Sequence, residues 1–221
     1  PFPKESSPSG AFCRQASAFR GAVTADGSSG FPAESGRYHL YVSLACPWAH
    51  RALIFRALKG LKSLIGVSVV KPLMLENGWE LNSETAATSP IPNVDYLYQV
   101  YQLADPKYTG RVTVPVLWDK ERQTIVSNES SEIIRMFNSA FNELIPTSTD
   151  YYPLEFQSEI DAVNQRVYQS INNGVYRAGF ATTQLAYNSA FDALFTALDW
   201  LELRLSQQRY LVGKQITEAD W

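Results

Sequence analysis

Tyr38-His39-Leu40-Tyr41-Val42-Ser43-Leu44 runs directly into Ala45-Cys46-Pro47-Trp48-Ala49-His50-Arg51. The first seven residues are aromatic, branched and apolar on both faces, the pattern of a central strand covered on both sides. From Pro47 to Leu61, the apolar residues Leu53, Ile54, Ala57, Leu58 and Leu61 recur at helical spacing, with Arg51, Arg56, Lys59 and Lys62 mostly off that stripe. Pro47 suits the first helical position, where its missing N–H costs nothing. Cys46 therefore stands where a strand gives way to a helix. Unpaired N–H groups and the positive end of the helix dipole favour an anion at that point, and a thiolate is the anion on offer. A small buried apolar cysteine is the plainer reading; it is the weaker one here. Gly60 and Gly66 punctuate the exit, and Ile65 to Val70 reads as a second strand. Strand, helix and strand in this order form a βαβ unit with parallel pairing.

Lys71 to Gly110 is a long mixed stretch with Trp79 and several turn signals, the kind of connection that is functional or carries short helices of its own. Val112 to Trp118 and Gln123 to Val126 are predicted as two short strands, an antiparallel hairpin across Asp119 to Arg122. Ser130 to Phe141 carries the stripe Ile133, Ile134, Phe137 and Phe141 and closes this part with a helix. After Pro146 to Pro153 the character turns all-helical. One stripe is Phe156, Ile160, Val163, Val167 and Ile171. A second is Tyr187, Phe191, Leu194, Leu198, Leu201 and Leu205, and together they suit a bundle core. Asn172 to Gly179, holding Tyr176 and Arg177, reads as the break between them.

Composition narrows the function. A net charge of −3 leaves no basic footprint for nucleic acid. No apolar run is long enough to span a bilayer. With two cysteines, Cys13 and Cys46, there is no disulfide framework, so a reducing, cytoplasmic setting is expected. His39 lies inside the strand run and His50 four residues after Cys46, with too few further ligands nearby for a zinc site, so no metal is expected. Pro1 to Gly10 is rich in Pro and Ser and is expected to be a loose tail; Cys13 is a bystander in that part. Ile216-Thr217-Glu218-Ala219-Asp220 reads as a helix start, with Thr217 as N-cap, Asp220 answering from N3 and Ile216 as half of a staple. Because the chain stops at Trp221, a C-terminal part of the natural protein is expected beyond it. The first residue is Pro1 and not Met, so the expectation of a cytoplasmic setting leaves room for an organelle-targeting segment ahead of it.

The order of a cysteine-headed βαβ unit, then Val114-Pro115 opening a later strand, then an all-α half, resembles a thioredoxin-like domain fused to a helical domain, as in glutathione transferases. The resemblance implies a cis bond before Pro115 and a backbone at Val114 that holds an extended peptide. Taken alone, Val-Pro is a weak sign, since Pro also tolerates strand starts and edges. Longer blocks narrow the family: Gly36 to Val42, Ala45 to Arg51, Gly78-Trp79, Gly110 to Asp119 and Ser127-Asn128-Glu129-Ser130 resemble glutathionyl-hydroquinone reductases, the xi-class, omega-like glutathione transferases. The resemblance runs from about Gly36 to Asp220. The expected fold is α/β plus all-α: an N-terminal extension over 1–35, a thioredoxin-like glutathione-binding domain over 36–145 and an incomplete all-helical domain over 152–221.

By this resemblance the partner is glutathione as co-substrate, with aromatic glutathionyl conjugates as substrates and a homodimer as the assembly. Cys46 has no second cysteine where a dithiol motif would place one, so it works alone and needs an external thiol. The implied activity removes glutathione from glutathionyl-hydroquinones through a Cys46 mixed disulfide. Glu129 and Ser130, at a helix start, are placed to hold the γ-glutamyl end; the plainer readings are a first-turn charge for Glu129 and an ordinary N-cap for Ser130. The resemblance adds Trp79 and Arg111 as glutathione contacts and Tyr176 as a residue of the aromatic-substrate pocket. Otherwise Trp79 and Tyr176 are core aromatics and Arg111 a solvated turn residue. Two alternatives stand beside this reading. One is a broader omega-like thioltransferase or dehydroascorbate reductase; the other is a non-catalytic, transferase-like interaction module.

Overall fold

The computed structural model describes residues 7–81, 88–145 and 149–221. Residues 146–148, at the head of the expected domain junction, and most of the expected loose tail lie outside the described residues. The chain forms two compact units: Ser17–Thr149, and Pro1–Ala16 together with Asp150–Trp221. The N-terminal stretch 1–35 is thus shared between them.

The first unit is built on a four-stranded sheet. Its strands are β1 (Tyr38–Ser43), β2 (Gly66–Val70), β3 (Val116–Asp119) and β4 (Thr124–Ser127), in the order β2-β1-β3-β4. β1 runs parallel to β2 and antiparallel to β3, and β3 and β4 form a hairpin. Every residue of β1 is buried, as expected of a strand covered on both faces. At its head, Arg37 bonds Asp119 through Nε and Nη2, which ties the start of β1 to the end of β3. β3 begins at Val116, later than the Val112 read from sequence. The preceding backbone is satisfied elsewhere: Tyr101 Oη donates to the Thr113 carbonyl at 2.9 Å and accepts from the Thr113 N–H at 3.2 Å. That tyrosine comes from α2 (Leu97–Ala104), a helix within the long mixed stretch.

α1 (Pro47–Leu58) starts where expected, with Pro47 in its first turn. The predicted stripe is buried in part: Leu61, just past the helix, is fully buried, and Leu53 and Ile54 are half-buried. Ala49, Ala52 and Phe55 are buried, whereas Ala57 and Leu58 are exposed. The two alanines permit close approach and Phe55 fills the space beside them. Lys59, read as an off-stripe charge, is fully buried, its stem packed inside and its Nζ donating to the Thr149 carbonyl at 2.7 Å. α3 (Ser130–Ser139) presents the predicted stripe, with Ile133, Ile134, Phe137 and the following Phe141 all buried.

In the second unit, α4 (Gln157–Val167) contributes Ile160 and Val163 to a core shared with Leu211, Val212 and Ala219, against which Phe156, Val167 and Leu201 also pack. The predicted break over Asn172 to Gly179 does not occur. A π-helical turn, Tyr168–Asn172, leads straight into α5 (Asn173–Gly179), and the break falls at residues 180–183. Gly174, inside the predicted break, is buried against Leu194, where a bare Cα lets two helices meet. α6 (Gln184–Leu205) buries Ala190, Leu194 and Ala197, while Tyr187, Phe191, Leu198 and Leu205 of the predicted stripe are exposed. At the C-terminal end, Thr217 and Asp220 form the expected capping box over a single 3₁₀ turn, but Ile216 is exposed and makes no buried staple. Of the tail, Ser9 and Gly10 are held, their carbonyls accepting from Thr183 Oγ1 and the Thr182 N–H.

Candidate active site

β1 delivers the chain through a short turn to Cys46, which is the N-cap of α1 in extended conformation, φ −102° and ψ 117°. Its N–H donates to the Ser43 carbonyl at 3.1 Å and its own carbonyl accepts from the His50 N–H at 3.0 Å. The backbone is therefore fixed, while the sulfur is not spent on capping. Instead Cys46 Sγ lies 3.5 Å from the Val114 carbonyl, and the Val114–Pro115 bond is cis. The residue expected to offer its backbone to a peptide thus adjoins the residue expected to offer its sulfur, across 68 positions of sequence. Cys46 is half-buried; Cys13, in the other unit, is exposed.

A second cluster lies at the start of α3. Glu129, not Ser130, is the N-cap, its carboxylate accepting from the Ser131 N–H at 3.4 Å. This corrects the reading of Ser130 as a cap: Ser130 is the first helical residue, and Ser127 Oγ accepts from the Glu129 N–H at 3.1 Å to fix the approach. The buried Ser130 hydroxyl accepts instead from Arg51 Nη2 at 2.8 Å. Arg51 comes from α1, with its guanidinium carbon 5.7 Å from the centre of the Trp48 ring. From sequence, Arg51 reads only as a charge off the apolar stripe. The available signal was a cation three residues after Trp48, on the same helical face, one turn beyond the cysteine. A guanidinium, a hydroxyl and a helix start are suited to a carboxylate, and a neighbouring Glu129 to an ammonium, so the cluster matches the head of an amino acid.

Trp79 and Arg111 are half-buried on two separate loops of the same unit. The Trp79 carbonyl accepts from the Leu97 N–H at 2.9 Å and the Arg111 carbonyl from Tyr108 Oη at 2.6 Å, so α2 and the loop after it hold both backbones. Tyr176 belongs to the helical unit, on α5. Its ring stacks near Phe12 and Phe180 at 6.2 and 6.0 Å, and the Arg14 guanidinium carbon lies 4.4 Å from its centre. Of the histidines, His50 is exposed. His39 is buried in β1, shares a 2.8 Å hydrogen bond with Ser68 Oγ, and is pushed down to about 4 by burial, with Lys120 and Arg56 adding to the effect. Among the described residues no cluster of His, Cys, Asp and Glu could hold a metal ion, and no helix is long and apolar enough to cross a membrane.

Residues 45–140 match the family model of the glutathione S-transferase N-terminal domain. The chain is 57% identical to the glutathionyl-hydroquinone reductase PcpF of Sphingobium chlorophenolicum, over 96% of this chain and 66% of that protein. It is 58% identical to the glutathionyl-hydroquinone reductase YqjG of Escherichia coli, over 96% of this chain and 67% of that one. The glutathione-bound structure of YqjG superimposes with a TM-score of 0.87 at 57% identity, covering 91% of this chain and 68% of that one. The xi glutathione S-transferase of Phanerochaete chrysosporium superimposes with a TM-score of 0.89 at 51% identity, covering 94% and 72%. The chain spans about two thirds of the length of these two curated reductases. With a lone cysteine capping α1 beside a cis-proline, the same fold, and more than half of its residues shared with such relatives, the chain belongs to the glutathionyl-hydroquinone reductase family, the xi-class glutathione transferases.

Proposed function

We propose that this protein removes glutathione from glutathionyl-hydroquinones, consuming a second glutathione and releasing hydroquinone and oxidised glutathione. The observation that carries the reading is Cys46: a single thiol at a helix N-terminus, its sulfur unspent on capping, 3.5 Å from the carbonyl of the cis-proline loop. The Cys46 thiolate attacks the glutathionyl sulfur, forming a disulfide as the sulfur–aryl bond breaks. The electron pair of that bond goes to the ring carbon, which takes a proton. The thiolate of a second glutathione then attacks the mixed disulfide, giving oxidised glutathione and restoring Cys46. The helix N-terminus favours the thiolate needed at both ends of the cycle.

In this reading Glu129 receives the γ-glutamyl ammonium, and Ser130 with Arg51 receives its carboxylate. The Val114 backbone pairs with the cysteinyl part in the manner of an added strand. Trp79 and Arg111 complete the glutathione site, Arg111 through a second carboxylate, and Tyr176 is assigned to the aromatic half of the substrate. A cysteine in no disulfide and a supply of glutathione fit a reducing cytoplasm, and the homodimer belongs to the same expectation.

The test is mass spectrometry of the protein after incubation with a glutathionyl-hydroquinone alone. One added glutathione on the Cys46 peptide, with one hydroquinone released, is the expected result. Cys46→Ser should fold and lose turnover. Equal activity on mixed disulfides, dehydroascorbate and glutathionyl-hydroquinones would move the assignment to a general thioltransferase; wild-type turnover by Cys46→Ser would remove the mechanism.

A further inference from the structure

β4 is an edge strand of the sheet, and its outer side is covered by the residues that precede the fold. Arg20 bridges Ser127 in antiparallel fashion, the Gly21 N–H donates to the Val126 carbonyl at 2.8 Å, and the Asn128 N–H donates to the Phe19 carbonyl at 3.2 Å. Farther along, the Val23 N–H donates to Met136 Sδ at 3.0 Å on α3, and Arg20 Nε donates to Glu132 Oε1 at 2.6 Å. Phe19 anchors the segment inward, with its ring 5.7 Å from Tyr101 in an edge-on contact and its N–H donating to Asn128 Oδ1 at 3.1 Å. The strap over residues 17–23 therefore follows the chain of β4 past its end and up to the start of α3.

At that end stands Ser17. Its hydroxyl faces two acceptors, Glu129 Oε2 at 3.0 Å and the Asn128 carbonyl at 3.4 Å. The other carboxylate oxygen, Oε1, accepts from the Ser131 hydroxyl at 3.2 Å and the Ser131 N–H at 3.4 Å. The shortest of the three bonds on this carboxylate comes from a residue 112 positions away, and it fixes the oxygen that local capping does not. An acceptor held in place before a ligand arrives loses less freedom on binding.

We propose that Ser17, held by the strap, is a positioning residue that sets the Glu129 carboxylate for the γ-glutamyl ammonium and so tunes glutathione affinity. The inference rests on the glutathione reading above. It assigns the strap a part in recognition as well as in covering a sheet edge.

The test measures glutathione binding calorimetrically in a Cys46→Ser background, where no mixed disulfide forms. Adding Ser17→Ala should weaken binding roughly three- to tenfold, the scale of one hydrogen bond to a charged group partly offset by freeing the carboxylate. Ser17→Thr, which keeps the hydroxyl, should bind within about twofold of the parent. Gly21→Ala acts on the strap itself, since a Cβ there would lie 2.8 Å from the Val126 carbonyl oxygen, and it should reproduce the loss. A merely structural role is separated by glutathione acetylated on its γ-glutamyl amine: with no ammonium to receive, the Ser17→Ala effect should vanish. Equal affinity of parent and Ser17→Ala for glutathione, or an equal loss with the acetylated ligand, overturns the positioning role and leaves the glutathione reading intact. A parent that binds no glutathione overturns both.

Discussion

His39 sits in β1 seven residues before Cys46, and it makes the sheet unit sensitive to acid in a way that can be worked out in advance. The ring is buried, faces Tyr41 edge-on at 5.0 Å, and shares its Nε2 with Ser68 Oγ. Burial lowers its pKa from 6.5 to about 4, helped by the positive charges of Lys120 and Arg56. The folded state therefore refuses a proton that the unfolded chain accepts. Between those two values the unfolded state binds more protons, so stability is present above pH 6.5 and is lost as the pH falls toward 4. The whole gap corresponds to roughly 3 kcal/mol, of which about 2 kcal/mol falls between pH 7 and pH 5. With a urea dependence of ~3 kcal/mol per molar, that is a fall in midpoint of roughly 0.7 M from this one group. Other groups titrate as well, so the informative comparison is with His39→Gln, which keeps an amide to bond Ser68 and does not ionise. Urea unfolding at pH 7, 6 and 5, followed by tryptophan fluorescence, should show the variant losing about 2 kcal/mol less than the parent over that range. Parallel losses in the two proteins would falsify the claim that the fold holds His39 neutral.

Three further outcomes follow from buried groups. Arg37→Met strands the fully buried Asp119 carboxylate and should cost about 3–5 kcal/mol in unfolding free energy. Adding Asp119→Leu should recover only part of this, because Asp119 Oδ1 also accepts from the Glu121 and Arg122 N–H groups of the β-turn. Lys59→Ala should lose about 2–4 kcal/mol by emptying a buried site, while Lys59→Met, which keeps the stem and gives up the ammonium with its bond to Thr149, should lose less; thermal melting distinguishes the two. Gly174→Ala places its methyl 3.4 Å from Leu194 Cδ1 and should be neutral or stabilising by up to ~1 kcal/mol, whereas Gly174→Leu should force α5 from α6 and lower the melting temperature.

What could be read without coordinates is what neighbours along the chain decide. β1 is legible because its residues are apolar on both faces, and α1 begins at Pro47 because the local geometry of a helix start welcomes a proline. The capping box at Thr217 and Asp220 is local for the same reason. The position of Cys46 is legible from these, since a cysteine between a buried strand and a helix start has little choice of place.

Tertiary structure decided which distant partners several groups found. Lys59 reads as a surface charge until the fold closes over it and offers the Thr149 carbonyl. Asn173-Gly174 reads as a break until Leu194 arrives to pack on the bare glycine. Ser130 reads as a cap until Arg51, 79 residues earlier, takes its hydroxyl and Glu129 takes over the capping. In each case the deciding energy lies between residues far apart in sequence, where periodicity carries no information about who meets whom. Local pattern fixed where the sulfur stands; the docking of α1 and the strap against α3 decided which side chains meet Ser130 and Glu129.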